Sequence, residues 1–198
     1  MTKKAEVGIG TLIIFISMIL VAAIATGVLI QTSSQLQSKA IDTGRQTNTQ
    51  VSTSIMPVQL YVLNTETNSS LDPVYNFTFL KIRLSPGSNS IRLTEALLNV
   101  DTLDNRESLR YNASFGCGNY TNLSTNGAGH FSANFISGGS DVNYINQGDV
   151  VELCFPSPEA LTEAMPMRVS FVPKSGQSLT LDLQMPQVMT NFRVEIYP

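Results

Sequence analysis

Few residues in this sequence carry reactive side chains, and their spacing narrows the chemistry open to them. Cys117 and Cys154 are the only cysteines, and His130 is the only histidine. Two distant thiols and one imidazole fall short of a zinc site, which needs four clustered ligands or three with an open position. No acid–base partner adjoins His130 in the sequence, so it reads as an ordinary strand-edge residue rather than a relay. Oxygen donors gather at Asp141-Val142-Asn143 and Asn146-Gln147-Gly148-Asp149. Calcium would suit such donors, but the spacing of a calcium loop is missing and turn chemistry accounts for them better. No catalytic residue and no metal are expected, and no cofactor beyond covalent glycans.

The asparagines offer a different chemistry. Asn68, Asn76, Asn112, Asn119 and Asn122 each stand two residues before Ser or Thr with no Pro between, the acceptor pattern for N-linked glycans. Three of them fall within 112–124, which marks an exposed loop on the extracytoplasmic side. Asn76, just ahead of an apolar run, is the weakest of the five. Outside the cytoplasm Cys117 and Cys154 are expected to form a disulfide if they approach closely, contributing about 4 kcal/mol in the chain-entropy model. The other reading leaves Cys154 as a buried thiol in a β-run and Cys117 free in a Gly-rich loop.

These groups must be positioned by elements that the apolar residues define. The chain has 198 residues, 42% hydrophobic and only 14% charged against a usual figure of about 25%, with a mean hydropathy of +0.07. Long charged tails are therefore improbable. With 12 Lys+Arg against 15 Asp+Glu and no basic cluster beyond Lys3-Lys4, nucleic acid has no electrostatic footprint to bind.

The apolar content is concentrated near the start. No charge occurs between Glu6 and Lys39, and the segment 12–30, LIIFISMILVAAIATGVLI, is interrupted only by Ser17, Thr26 and Gly27. At ~1.5 Å per residue that segment reaches about 28 Å as a helix, close to the hydrocarbon thickness of a bilayer. Apolar around its whole circumference, it must end in lipid or within a helical bundle. Lys3 and Lys4 favour a cytoplasmic N-terminus, which sends the body of the chain outward. The run is too long for an ordinary secretory signal. Beyond it, Leu36, Ala40, Ile41, Val51 and Ile55 recur mostly at helical spacing, and Pro57 is expected to end a helix running from Glu6 to about Met56.

From residue 58 the helical period gives way to short β-branched and aromatic runs. Strands are expected at 58–63, 74–84, 96–103, 130–136, 150–155, 167–172, 179–184 and 192–197, separated by Pro, Gly, Ser, Asn and Asp clusters. Leu80, Ile82 and Leu84 alternate with Lys81 and Arg83, the pattern of a half-buried antiparallel strand, and Ser85-Pro86-Gly87-Ser88 is a turn by its chemistry. The fold class is α+β: a long N-terminal hydrophobic α-helix followed by an antiparallel immunoglobulin-like β-sandwich, with a small β-barrel as the alternative.

Lys3-Lys4-Ala5 followed by Glu6-Val7-Gly8-Ile9-Gly10-Thr11-Leu12-Ile13-Ile14-Phe15-Ile16 resembles the class III signal and processing site of the archaeal flagellins, or archaellins. These are the type IV pilin-like subunits of the archaellum. The likeness continues through Leu36-Gln37, Ala40, Thr43-Gly44 and Val51-Ser52, into Leu84-Ser85-Pro86-Gly87-Ser88, and ends with Ile196-Tyr197-Pro198. It implies a leader at 1–5 cut between Ala5 and Glu6 by a prepilin-type signal peptidase, an assembly helix at 6–56 and an outer β-sandwich at 58–198. It implies that Gly8, Ile9, Gly10, Thr11, Leu12, Ile13, Ile14, Phe15 and Ile16 pack against other copies, or sibling archaellins, in an extracellular motility filament. It implies a membrane assembly platform and an ATPase motor as partners, residence in the cytoplasmic membrane before assembly, and no catalysis. An adhesive archaeal type IV pilin is the alternative, and a membrane-anchored extracellular binding domain a more distant one.

Overall fold

The computed structural model describes residues 2–64, 75–118, 129–139, 141–189 and 191–198. The sequons at Asn68, Asn119 and Asn122 lie outside the described residues, as do the side chains of Lys3, Lys4, Ala5 and Glu6. The chain divides into two units, Met1–Thr47 and Asn48–Pro198.

The first unit is helix α1, Thr2–Ser52, whose last turn belongs to the second unit. The helix ends at Ser52, short of the expected limit at residue 56. Ile55, Met56 and Pro57 instead open β1, Ile55–Asn64, where Ile55 is buried and Pro57 pairs with Ile82. The register shifts between Pro57 and Gln59, so the missing proline N–H falls at an irregularity that a ladder tolerates. Pro57 thus marks a bulge in a strand; the helix had already stopped.

Among the described residues the second unit holds eleven strands. After β1 come β2 (Tyr75–Leu84), β3 (Ile91–Arg92), β4 (Leu97–Asp101), β5 (Arg106–Tyr111), β6 (His130–Ser137), β7 (Tyr144–Ile145), β8 (Val150–Leu161), β9 (Pro166–Val172), β10 (Leu179–Gln184) and β11 (Arg193–Tyr197). Nine of them form one ladder in the order β10-β9-β4-β5-β6-β8-β2-β1-β11, and β3 pairs with β7 alone. Every ladder pairing is antiparallel except β5 with β6, which run parallel for two residue pairs, Arg110 with His130 and Tyr111 with Phe131. That short seam is where the ladder turns from one layer to the other. The side chains it brings together are Leu60, Leu80 and Val151 from one layer and Leu98, Val169 and Phe171 from the other, all buried in one cluster. This is the sandwich core.

Three strands escaped the sequence. β5 reads RESLRY, and its charges obscure a strand in which only Leu109 is fully buried. β3 and β7 are two residues each, too short for any periodicity to show. β8 also runs past the expected end at Phe155, through Pro156 and Pro158 to Leu161, with a register shift opposite Tyr75/Phe77 accommodating the prolines.

A second apolar cluster lies on the opposite face of the β1-β2-β8 layer. Tyr61, Leu63, Phe77 and Phe79 pack there with Cys117, Cys154 and Phe115. The Tyr61 and Phe79 rings stack with centroids 4.9 Å apart, and the Arg193 guanidinium sits 3.7 Å above the Tyr61 ring. The Tyr61 hydroxyl donates to Glu152 Oε1 at 2.7 Å. Cys117 and Cys154 are bonded as a disulfide, which ties residues 112–118 across this cluster.

Carboxylates hold the turns. Glu159 accepts from the Asn105 side-chain amide at 2.9 Å and the Asp104 N–H at 3.5 Å. A hydrogen bond from Thr102 does most to hold its pKa below the ordinary carboxylate value; desolvation opposes it, and Asn105 and Asp104 add to it. A depressed folded pKa means the grip is complete above about pH 4.3, the unfolded value, and is lost as pH falls through the lower folded one. The Asp104 amide chemical shift should therefore be steady at neutral pH and step only below that value, and Glu159→Ala should remove the step. In the core, Phe171 is fully buried with its ring edge-on to Phe131 at 6.3 Å. Phe171→Ala should cost about 3–5 kcal/mol, read as a lower urea midpoint for loss of near-ultraviolet circular dichroism.

Candidate assembly surface

Every side chain from residue 8 to residue 48 is exposed. The span Gly8–Ser52 has a mean hydropathy of 2.8 in its most apolar window and is long enough to cross a membrane. Ile9, Leu12, Ile13, Ile14, Phe15 and Ile16 stand between 48% and 69% exposed, and Met18, Val21, Ile24 and Leu29 reach 68% or more. At about 25 cal/mol per Å² such an area is too apolar to rest in water when a like surface is at hand.

Five hydroxyls of this helix are arranged so that they do not resist burial. Thr11 Oγ1 donates to the Gly8 carbonyl at 3.0 Å, Ser17 Oγ to Ile13 at 2.7 Å and Thr26 Oγ1 to Ala22 at 2.8 Å. Thr32 and Thr47 bond in the same way to Leu29 and Thr43. Each hydroxyl is satisfied one turn back along its own helix, so water can leave without orphaning a donor. Around Gly8, Gly10, Gly27 and Gly44 nothing stands within 4 Å of where a Cβ would be. Within this chain nothing crowds these glycines; their small size leaves room for a neighbouring backbone.

Where the helix stops, its last turn is fastened into the sandwich. The Thr53 N–H donates to Thr49 at 3.2 Å while its carbonyl accepts from the Gln177 N–H at 2.8 Å. Ser88 Oγ accepts from the Ser54 N–H at 3.0 Å and donates to the Ser54 carbonyl at 3.1 Å, and the Ser85 N–H reaches that same carbonyl at 2.9 Å. The turn Ser85-Pro86-Gly87-Ser88, identified in the sequence by its chemistry, thus receives the backbone that leaves the helix. Gly87 adopts φ 86°, and Gly176, at φ 110°, lies so close that a Cβ would come within 2.8 Å of Thr53 Cγ2. Only the turn character of 85–88 was legible beforehand; Thr53, Gly176 and Gln177 carried no sequence signal.

The other sequence candidates fall in separate places. Asn112 is half-exposed and its Oδ1 accepts the Ser114 N–H at 2.9 Å, whereas Asn76 lies in β2 between β1 and β8. His130 opens β6, its ring 6.1 Å from Phe115. Asp141 caps its own turn through the Asn143 N–H at 2.9 Å, and Asp149 accepts the Asn146 N–H at 2.8 Å, both as turn chemistry requires. Among the described residues no His, Cys, Asp and Glu side chains cluster as metal ligands would. A recess of about 270 Å³ between Arg92, Glu95, Tyr144 and Lys174 is already paired internally, with Lys174 3.1 Å and Arg92 3.2 Å from Glu95. The Lys174 hydrogen bond is the main cause that lowers the Glu95 pKa, which moves the group further from neutrality.

Comparison with known proteins agrees with this layout. The model of the archaeal-type flagellin family matches residues 5–183. The chain is 35% identical over 163 residues to flagellin B2 of Halobacterium salinarum, covering 82% of this chain and 77% of the relative. It is 30% identical over 205 aligned positions to flagellin B2 of Methanocaldococcus jannaschii, covering 93% and 90%. In fold it resembles a chain of the archaeal flagellum of Methanospirillum hungatei, with a TM-score of 0.69 at 12% identity over 96% of this chain and 99% of that one. It also resembles a crystallised archaeal flagellin of Methanocaldococcus jannaschii, with a TM-score of 0.63 at 17% identity over 73% and 97%. A family model spanning nearly the whole chain and two relatives matched over most of their length at this identity leave one conclusion: the chain belongs to the archaeal-type flagellins.

Proposed function

We propose that this flagellin reaches its filament by way of the membrane, as a single-span precursor that is cut between Ala5 and Glu6 and then transferred, helix first, into a bundle of its own kind. As an archaeal-type flagellin the chain is a non-catalytic structural subunit of a flagellar filament outside the cell. The observation that carries the route is the helix surface. From residue 8 to residue 48 it is wholly exposed, and in its apolar stretch Thr11, Ser17 and Thr26 are bonded back to the helix's own carbonyls. Lipid and a helical bundle are equivalent surroundings for such a surface, so moving from one to the other costs little. Lys3 and Lys4 are the exception. Each costs about 2.5–3.5 kcal/mol at a bilayer centre on insertion scales, so uncut subunits stay behind.

A prepilin-type signal peptidase, a membrane assembly platform and a cytoplasmic ATPase motor are the partners this route requires. Contacts between copies that do not close a ring extend into an open helix, which is the geometry of a filament. Of the two sequons within the described residues, Asn112 is the better acceptor: it stands half-exposed in an Asx turn, while Asn76 is held within a central strand.

Peptide mass spectrometry on material sheared from cells tests the route. The protein should begin at Glu6 and carry glycan mass on peptides from 112–124; full-length chains with Lys3 and Lys4, confined to membranes, would overturn the processing step. Gly8→Asp places an unpaired charge on the packing face. Filaments should vanish under electron microscopy while the near-ultraviolet spectrum of the sandwich is unchanged, and normal filaments from that variant would refute the packing of this helix.

A further inference from the structure

The disulfide joins a fully buried residue of a central strand, Cys154, to Cys117 in the loop segment that follows β5. It lies in the outer cluster, which shares no member with the sandwich core. The core is filled from the inner faces of β1, β2, β4, β5, β6, β8 and β9 and uses nothing from residues 112–118. Among the described residues the segment is held also by the Ser132 hydroxyl, which donates to the Phe115 carbonyl, by the Asn112 N–H, which donates to the Phe131 carbonyl at 2.9 Å, and by Phe115, which packs beside the cluster and lies 6.1 Å from the His130 ring.

We propose that Cys117–Cys154 is a redox-sensitive latch on the outer layer alone: a dithiol releases residues 112–118 from the outer cluster while the sandwich stays folded. Cys117, at the cluster's edge, is 9% exposed and Cys154 not at all, so attack falls on the Cys117 sulfur. One thiolate of the reagent bonds to that sulfur, and the Cys154 sulfur leaves as a thiolate and takes a proton. The reagent's second thiol then displaces Cys117 as a free thiol. Two electrons pass to the protein and the dithiol becomes a cyclic disulfide. A chain still in a reducing compartment has the latch open, and the outer face closes once the chain meets an oxidising disulfide donor.

Hydrogen exchange with peptide mass spectrometry on the full chain in detergent, before and after dithiothreitol, reads the proposal directly. Amides in 112–118 should exchange faster on reduction, on the order of ten-fold or more, with β4 and β9 unchanged. Acceleration of β4 and β9 to the same degree would mean that the bond staples the whole unit, and no change in 112–118 would mean that packing alone holds the loop. Either result overturns the latch. Cys117→Ser, which leaves buried Cys154 in place, should reproduce the reduced pattern and no longer respond to the reagent; a still-protected loop in that variant also overturns it.

Discussion

A long apolar surface on one helix is the constraint around which the chain is organised. No side chain between residues 8 and 48 is buried, so the folding of a single copy leaves that apolar surface uncovered. In a typical domain an amphipathic helix turns its apolar stripe inward and settles the matter within the chain. Here the apolar residues surround the axis, and the hydroxyls among them are closed off by back-bonding. Polymerisation follows from that surface, because it covers what the chain leaves uncovered.

The sandwich has the opposite character. It resolves its hydrophobicity internally, and on both sides of one layer. β1, β2 and β8 present Leu60, Leu80 and Val151 to the main core and Tyr61, Phe79 and Cys154 to the outer cluster. Strands with no solvent face read as near-continuous apolar runs, which is why FTFL and ELCF lack clean alternation. The polar groups that do enter this layer are matched: Glu152, 9% exposed, accepts from Tyr61 and lies 3.6 Å from Lys81. A domain built so covers most of its apolar residues within itself.

How much of this was legible in the sequence depended on how local each signal was. The helix was legible through a composition extreme, and the strand 179–184 through alternation flanked by turn residues. The end of the helix was misplaced because Pro57 looked like a terminator, while the actual stop after Ser52 is set by contacts of Thr53 with Asn89 and Gln177 and of Ser54 with Ser88, far away in sequence. β5 was hidden because its pairing on both sides, with β4 and β6, permits it charged residues that an isolated run would not justify. The two cysteines could be proposed as a pair only from compartment and count; their meeting depends on the segment after β5 bringing Cys117 to Cys154 in β8. For the apolar stretch of the helix, residue type was enough, since the property that shows in the structure is that its side chains stand exposed.

Thr53 joins two kinds of secondary structure through one residue. Its N–H completes the last turn of the helix, and its carbonyl receives Gln177 from the segment between β9 and β10. Fraying of the helix end and opening of that sheet margin cannot then occur independently, because each removes a partner from the same residue. The two form one cooperative opening unit. The final helical turn therefore borrows the stability of the sheet it meets, and a helix end that would fray freely in isolation opens here only as often as the margin around Gln177 does.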